Sequence, residues 1–262
     1  MSERNIIDPD GDCIFCLQRV VNTYTESERI EVENEAAQDL DDGDDDDNES
    51  ILENSKTTAE LQEVKFLVSS KHMMLVSPVF RAMFRHKNGF KDGEELHAAG
   101  IVNVPLPDDN PDAFLMLLNI IHCQDAKIPL AINLQSLCDL AVLVDKYRMH
   151  GAVRIVSNIW IDALMEQSNA YKVDDYGVLL WLCIAWVFNL KNSFRYFTRL
   201  LMVLGDKPLS TRLSDHSIDL PIPERVVGMF FYCPQLFLSD FNCYQDTSLF
   251  RMQKQLMQVE KS

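Results

Sequence analysis

Short apolar runs bounded by turn residues alternate along the chain with longer segments whose apolar positions recur every three or four residues. Asp12-Cys13-Ile14-Phe15-Cys16-Leu17 follows the turn-forming Asp8-Pro9-Asp10-Gly11 and predicts a first strand. Val64-Lys65-Phe66-Leu67-Val68, rich in β-formers, predicts a second. The next segment, Lys71 to Phe84 (KHMMLVSPVFRAMF), is apolar enough for one core helix but carries Ser77-Pro78 in its middle. That proline is expected to start a helix, not to break one. Ser70 is read as the cap of a short helix over Lys71 to Val76; Ser77 then caps a second, with Pro78 in its first turn and Val79, Phe80, Met83 and Phe84 following. The turn-rich HKNGFKDGEE leads to a third strand over Ile101 to Leu106, with Pro105 near its end.

Three amphipathic helices are expected next. Asn110-Pro111-Asp112 supplies a cap, a first-turn proline and a first-turn acid ahead of Phe114, Leu117, Leu118 and Ile121 on one face. Asn133 opens the second helix, with Leu134, Leu137, Ala141 and Val144 inward, and Gly151 divides it from a third bearing Val153, Val156, Trp160, Ala163 and Leu164. Beyond Gln167, Val178 to Leu190 and Phe194 to Leu204 read as paired core helices interrupted near Lys191-Asn192. Further helices are expected over Glu224 to Tyr232 and Ser248 to Lys261, and no internal repeat is visible. The order of strands, split helix, strand and helices is an α+β pattern, a small sheet covered by a helical cluster and followed by an all-helical C-terminal extension.

Charge changes this picture in one place. Between Asn22 and Glu63 there are 16 Asp and Glu against Arg29 and Lys56, a local charge of −14; the remainder, 24 acids and 22 bases, carries −2 of the total −16. The heart of this strip, DLDDGDDDDNES, has little to bury, so a disordered acidic insertion at about 22–63 is expected between the first two strands. Loop-closure entropy grows slowly enough to permit it. Neither part shows the basic patch that binding to phosphates requires, which argues against direct nucleic-acid contact. The longest apolar run, Gly177 to Phe188, falls short of the ~20 residues of a bilayer span. No apolar stretch follows a basic start in MSERNIIDPDGD, so no secretion leader is expected. Cysteines at 13, 16, 123, 138, 183, 233 and 243 are odd in number and mostly set in apolar segments, which fits a reducing cytosol or nucleus.

Candidate chemistry is sparse. Cys13-x-x-Cys16 has the spacing of a thiol-redox or zinc pair, but a redox site calls for a thiol at a helix N-terminus, and a zinc site for two further ligands. On a strand the two thiols also face opposite sides. A thiol-redox or zinc role for Cys13 and Cys16 stands as the remote alternative. His72 and His122, with no partnered nucleophile or carboxylate at a recognisable motif, are read as packing or hydrogen-bonding residues. No Gly-rich phosphate loop, G-x-S-x-G elbow or H-E-x-x-H is present, so no catalytic residue, metal site or cofactor is assigned.

Taken in order, Val64-Lys65-Phe66-Leu67-Val68 with Lys71-His72, Leu75-x-Ser77-Pro78-Val79-Phe80-x-x-Met83-Phe84, Val102-x-Val104-Pro105-Leu106-Pro107-Asp108-Asp109, Pro111-x-Ala113-Phe114-x-x-Leu117-Leu118-x-Ile120-Ile121-His122 and Leu140-Ala141-x-x-x-Asp145-Lys146-Tyr147 resemble the BTB (POZ) domain. The version resembled is the one abundant as stand-alone proteins of filamentous fungi, and the resemblance covers about residues 10 to 165. It implies a BTB domain over 1–165, leaving 166–262 as the helical extension. It also implies a non-enzymatic scaffold acting by protein–protein contact, with homo-oligomers and, in many members, docking on a cullin of ubiquitin ligases. Cullin-binding members present an apolar-x-Glu motif, whose nearest match is Phe90-Lys91-Asp92, with Asp one methylene short of Glu. The alternative function implied is a substrate adaptor for a cullin-type ligase, with residues 168 to 262 able to support a substrate surface. Family dimers often exchange an N-terminal helix and strand, for which a first strand near Cys13 leaves little room. The acidic strip reads either as a solvated linker or as a docking strip for a basic partner. Thr25-x-x-Glu28 and Ser50-x-x-Glu53 make Thr25 and Ser50 candidate sites for an acidophilic kinase.

Overall fold

In a computed structural model of the chain, residues 3–23, 58–167, 174–204, 211–212 and 221 are described. The sheet has four strands: β1 (Glu3–Ile6), β2 (Cys13–Thr23), β3 (Thr58–Val68) and β4 (Val102–Pro105), in the order β1-β3-β2-β4. The central pair β2 and β3 is antiparallel from Cys13↔Val68 to Thr23↔Thr58, whereas β1 joins β3 and β4 joins β2 in parallel. Alternate residues of β2 point inward, so Cys13, Phe15 and Leu17 are buried beside Val64, Phe66 and Val68 of β3 and Val102 and Val104 of β4.

Two differences from the sequence reading lie in these strands. β1 was not expected: ERNI has no apolar alternation, and its place is held by backbone pairing along Val64 to Leu67. β2 and β3 also run on through Gln18 to Thr23 and Thr58 to Glu63, so both ends of the expected insertion are paired strand. Even the apolar Val20 and Leu61 in these ends are exposed, so ladder hydrogen bonds hold them where apolar burial does not. Residues 24–57, with Thr25 and Ser50, lie outside the described residues, as do the helices expected beyond residue 221.

The helices are α1 (Ser70–Val76), α2 (Pro78–Phe84), α3 (Lys91–Ala99), α4 (Pro111–Ile121), α5 (Leu134–Tyr147), α6 (His150–Gln167), α7 (Asp175–Val187) and α8 (Lys191–Leu204). Ser77 caps α2 as expected, accepting from the Phe80 N–H at 3.1 Å, and Asn110 caps α4 by accepting from the Asp112 and Ala113 amides. Ser70 does not cap α1. It lies inside the helix, and the Asp12 carboxylate takes its N–H at 2.6 Å and its hydroxyl at 2.8 Å. Gly151 does not divide α5 from α6; the break is at Arg148, in the left-handed region at φ 55°, and Gly151 sits in the first turn of α6. Likewise Lys191 and Asn192 open α8, and the chain turns at Phe188 and Asn189.

The Cα trace divides into two compact units, one of Met1–Leu130 with Tyr147–Ile155, the other of Ala131–Lys146 with Val156–Ser262. The first is organised around aromatic rings. Phe15 on the sheet meets Phe80 at 5.1 Å and Phe114 at 5.2 Å between ring centroids, Phe66 meets Phe114 at 6.0 Å, and Phe80 stacks on Tyr147 at 4.5 Å. The second is helical: Trp181 of α7 stacks on Phe197 of α8 at 5.5 Å, and Trp186 meets Phe194 at 5.8 Å. Cys138 and Cys183 are buried within it, and their mutual hydrogen bond, followed by burial, holds the Cys183 thiol well above its ordinary range. Among the described residues no helix is long and apolar enough to cross a membrane.

Candidate functional site

The segment read from sequence as a turn, HKNGFKDGEE, contains a short 3-10 helix over His86–Asn88 and then α3. Gly89 ends the first in the left-handed conformation at φ 72°, which favours glycine, and Phe90 becomes the N-cap residue of α3. Lys91 and Asp92 therefore lie in the first helical turn, where Asp92 and Glu94 favour the positive end of the helix dipole. Gly93 misled the sequence reading because its role is proximity rather than turning. A Cβ there would stand 2.9 Å from the Met83 carbonyl oxygen and 3.1 Å from that of Arg85, so α3 approaches the end of α2 backbone to backbone.

That approach builds a cleft. Pro78, Val79, Ala82 and Met83 of α2, Phe90 and Arg148 line a volume of about 350 Å³, and apart from Arg148 the lining residues are apolar. Its frame is held from beneath: the Ser77 hydroxyl donates to the Tyr147 carbonyl at 2.7 Å, tying α2 to the chain just before Arg148. Arg81 donates to the Met74 and Leu75 carbonyls at 2.8 and 3.0 Å, closing the C-terminal end of α1, and Asn88 donates to the Ala82 carbonyl at 2.9 Å. Tyr147 in turn gives its hydroxyl proton to the buried Asp109, and burial together with this bond raises its pKa. Phe90 remains 51% exposed at the rim. The structure thus places Phe90 at a ready-made apolar cleft, with Lys91 and Asp92 beside it at the start of α3.

Cys13 and Cys16 stand on opposite faces of β2. Cys13 is fully buried and desolvation raises its thiol pKa; Cys16 is half-buried, and burial raises its pKa against the pull of Lys65. Among the described cysteines all are free thiols. This is the environment of a structural cysteine, not of an activated one.

A different group of ligating side chains does converge. Asp8 in the β1–β2 turn, His72 on α1 and His122 at the end of α4 each bring a ligand atom within 4.8 Å of the others. The His72 and His122 rings meet edge to face at 4.9 Å. Burial lowers the His122 pKa, partly opposed by its bond to the Leu118 carbonyl. Sequence reasoning singled out His72 and His122 only as packing or hydrogen-bonding residues and missed their grouping with Asp8, because the three residues share no local spacing.

No curated protein matches the chain. The family model of the BTB/POZ domain matches residues 52–163, which run from the approach to β3 through β4 and most of α6. The small sheet with its covering helices is accordingly the BTB fold, followed by a helical extension. Over residues 52–163 the chain matches a BTB/POZ domain, a kind of module that mediates protein–protein interaction and is generally non-enzymatic.

Proposed function

We propose that the protein is a non-enzymatic scaffold that holds a protein partner in the cleft between α2 and the start of α3. One observation carries this reading: Phe90 stands half in solvent at the rim of a preformed apolar cleft. An aromatic anchor beside a pocket is the usual core of a protein interface. A more specific reading is a substrate adaptor for a cullin-type ubiquitin ligase. It is supported by Phe90-Lys91-Asp92, whose apolar and acidic positions lie at one helix start, and the region from 168 to 262, expected from the sequence to be helical, would present the substrate. The reading extends to a stand-alone protein of the fungal type working in the cytosol or nucleus, with Thr25 and Ser50 as phosphorylation sites in the acidic segment and self-association as a further property.

The test is mass-calibrated size exclusion of the full chain with a purified cullin N-terminal domain, using wild type and Phe90→Arg. A stoichiometric complex that Phe90→Arg abolishes, with circular dichroism unchanged, supports the adaptor. No complex with wild type rejects the cullin and leaves the scaffold, whose partner is then sought by cross-linking from a residue placed at Ala82. A partner that binds Phe90→Arg as tightly as wild type rejects the cleft itself.

A further inference from the structure

We propose that Asp8, His72 and His122 form a binding site for a divalent transition metal ion, zinc on the basis of the ligand set. Two imidazoles and one carboxylate are ligands that zinc accepts at about 2.0–2.2 Å, and three protein ligands leave a position for water or for a donor from a partner. The three ligands come from three separate elements that the fold itself brings together.

The elements that carry these ligands are pinned by hydrogen bonds of their own. The β1–β2 turn is pinned by the Ile7 and Asp8 amides donating to the Leu67 carbonyl at 3.0 and 3.2 Å, and by the Gly11 amide donating to the Asp8 carbonyl at 3.0 Å. Gly11 is needed there, since a Cβ would lie 2.7 Å from the Val68 carbonyl oxygen. Within the turn the Asp8 side chain accepts from the Asp10 amide through Oδ1 at 3.1 Å, which leaves Oδ2 to bind a cation. The α1 helix that carries His72 is anchored at its start by the Asp12 carboxylate. His122 lies 3.0 Å from the Leu118 carbonyl through Nδ1. A carbonyl only accepts, so Nδ1 bears the proton and Nε2 the lone pair, the arrangement that orients histidine ligands in metal sites.

The Ser69 amide donates to that same Nε2 at 3.2 Å, and a metal ion would take its place. The ligand atoms, now within 4.8 Å, must close to the roughly 3.4 Å that separates tetrahedral zinc ligands. His72 is exposed and can supply that movement by a change of rotamer. Bound metal would clip the β1–β2 turn, α1 and the end of α4 together and so stabilise the folded chain. This site is separate from the cleft, and its failure leaves the cleft reading untouched.

The experiment is titration of the full chain, thiols kept reduced, with cobalt chloride followed by visible absorption, and with zinc chloride followed by calorimetry and thermal melting. His72→Ala is the deciding variant because an exposed side chain can be removed without unfolding the domain, which circular dichroism verifies. One equivalent bound by wild type, without a thiolate charge-transfer band, and at least tenfold weaker binding by His72→Ala support the site. A thiolate band, an affinity unchanged in His72→Ala, or no binding by wild type overturns it.

Discussion

Phe15 touches the rings of Phe80, Phe84 and Phe114 and pairs in register with Phe66 and Val104, so one side chain joins the sheet to two helices. Its replacement by alanine should cost about 3–5 kcal/mol, because rings held at several sides cannot collapse into the space left. Urea denaturation measures this, and a loss below about 1 kcal/mol would mean that the cluster repacks. At this scale the sequence was readable where a residue satisfies its own local backbone. Ser77, Asn110 and Asn133 cap the helices assigned to them, since a cap is a bond between near neighbours. Ser70 was misread because its partner, Asp12, comes from a distant part of the chain. The grouping of His72, His122 and Asp8 was hidden for the same reason: tertiary structure, not spacing, assembles it.

Among the elements, apolar periodicity located the inner strands and α4 to α6, whose buried faces follow it. It did not locate β1 or the outer halves of β2 and β3, which the backbone ladder holds. α3 was hidden because its sequence KDGEELHAA has a weak apolar face and a glycine that signals a turn. The long ladder bears on residues 24–57. Thr23 and Thr58 are paired, so these 34 residues leave and re-enter the sheet side by side. Replacing them by a two-residue Asn-Gly turn should preserve the fold and raise its stability by on the order of 2 kcal/mol, since less chain has to be closed on folding. A fall in the urea midpoint of this variant would show that the segment contributes contacts of its own.

For the whole molecule, two buried groups predict how stability depends on pH. Burial raises the pKa of Cys13, and burial with the Asp109 bond raises that of Tyr147. The folded chain therefore keeps protons that the unfolded chain releases. Their contribution is complete below the unfolded thiol value of about 8.5 and is lost progressively as the pH rises beyond it. Urea midpoints should fall between neutral pH and about pH 10, and Cys13→Ala should flatten the first part of that fall. A midpoint that holds constant through this range would contradict the burial of Cys13, since the tyrosine of the unfolded chain titrates only near pH 10. The cleft carries a consequence of another kind. Its geometry is held by Ser77 and by the close approach at Gly93, whereas Val79, Ala82 and Met83 present half-buried side chains to the cleft. If the cleft holds a partner as proposed, shape and selectivity reside in different residues, and the lining can change toward new partners while the frame is inherited intact.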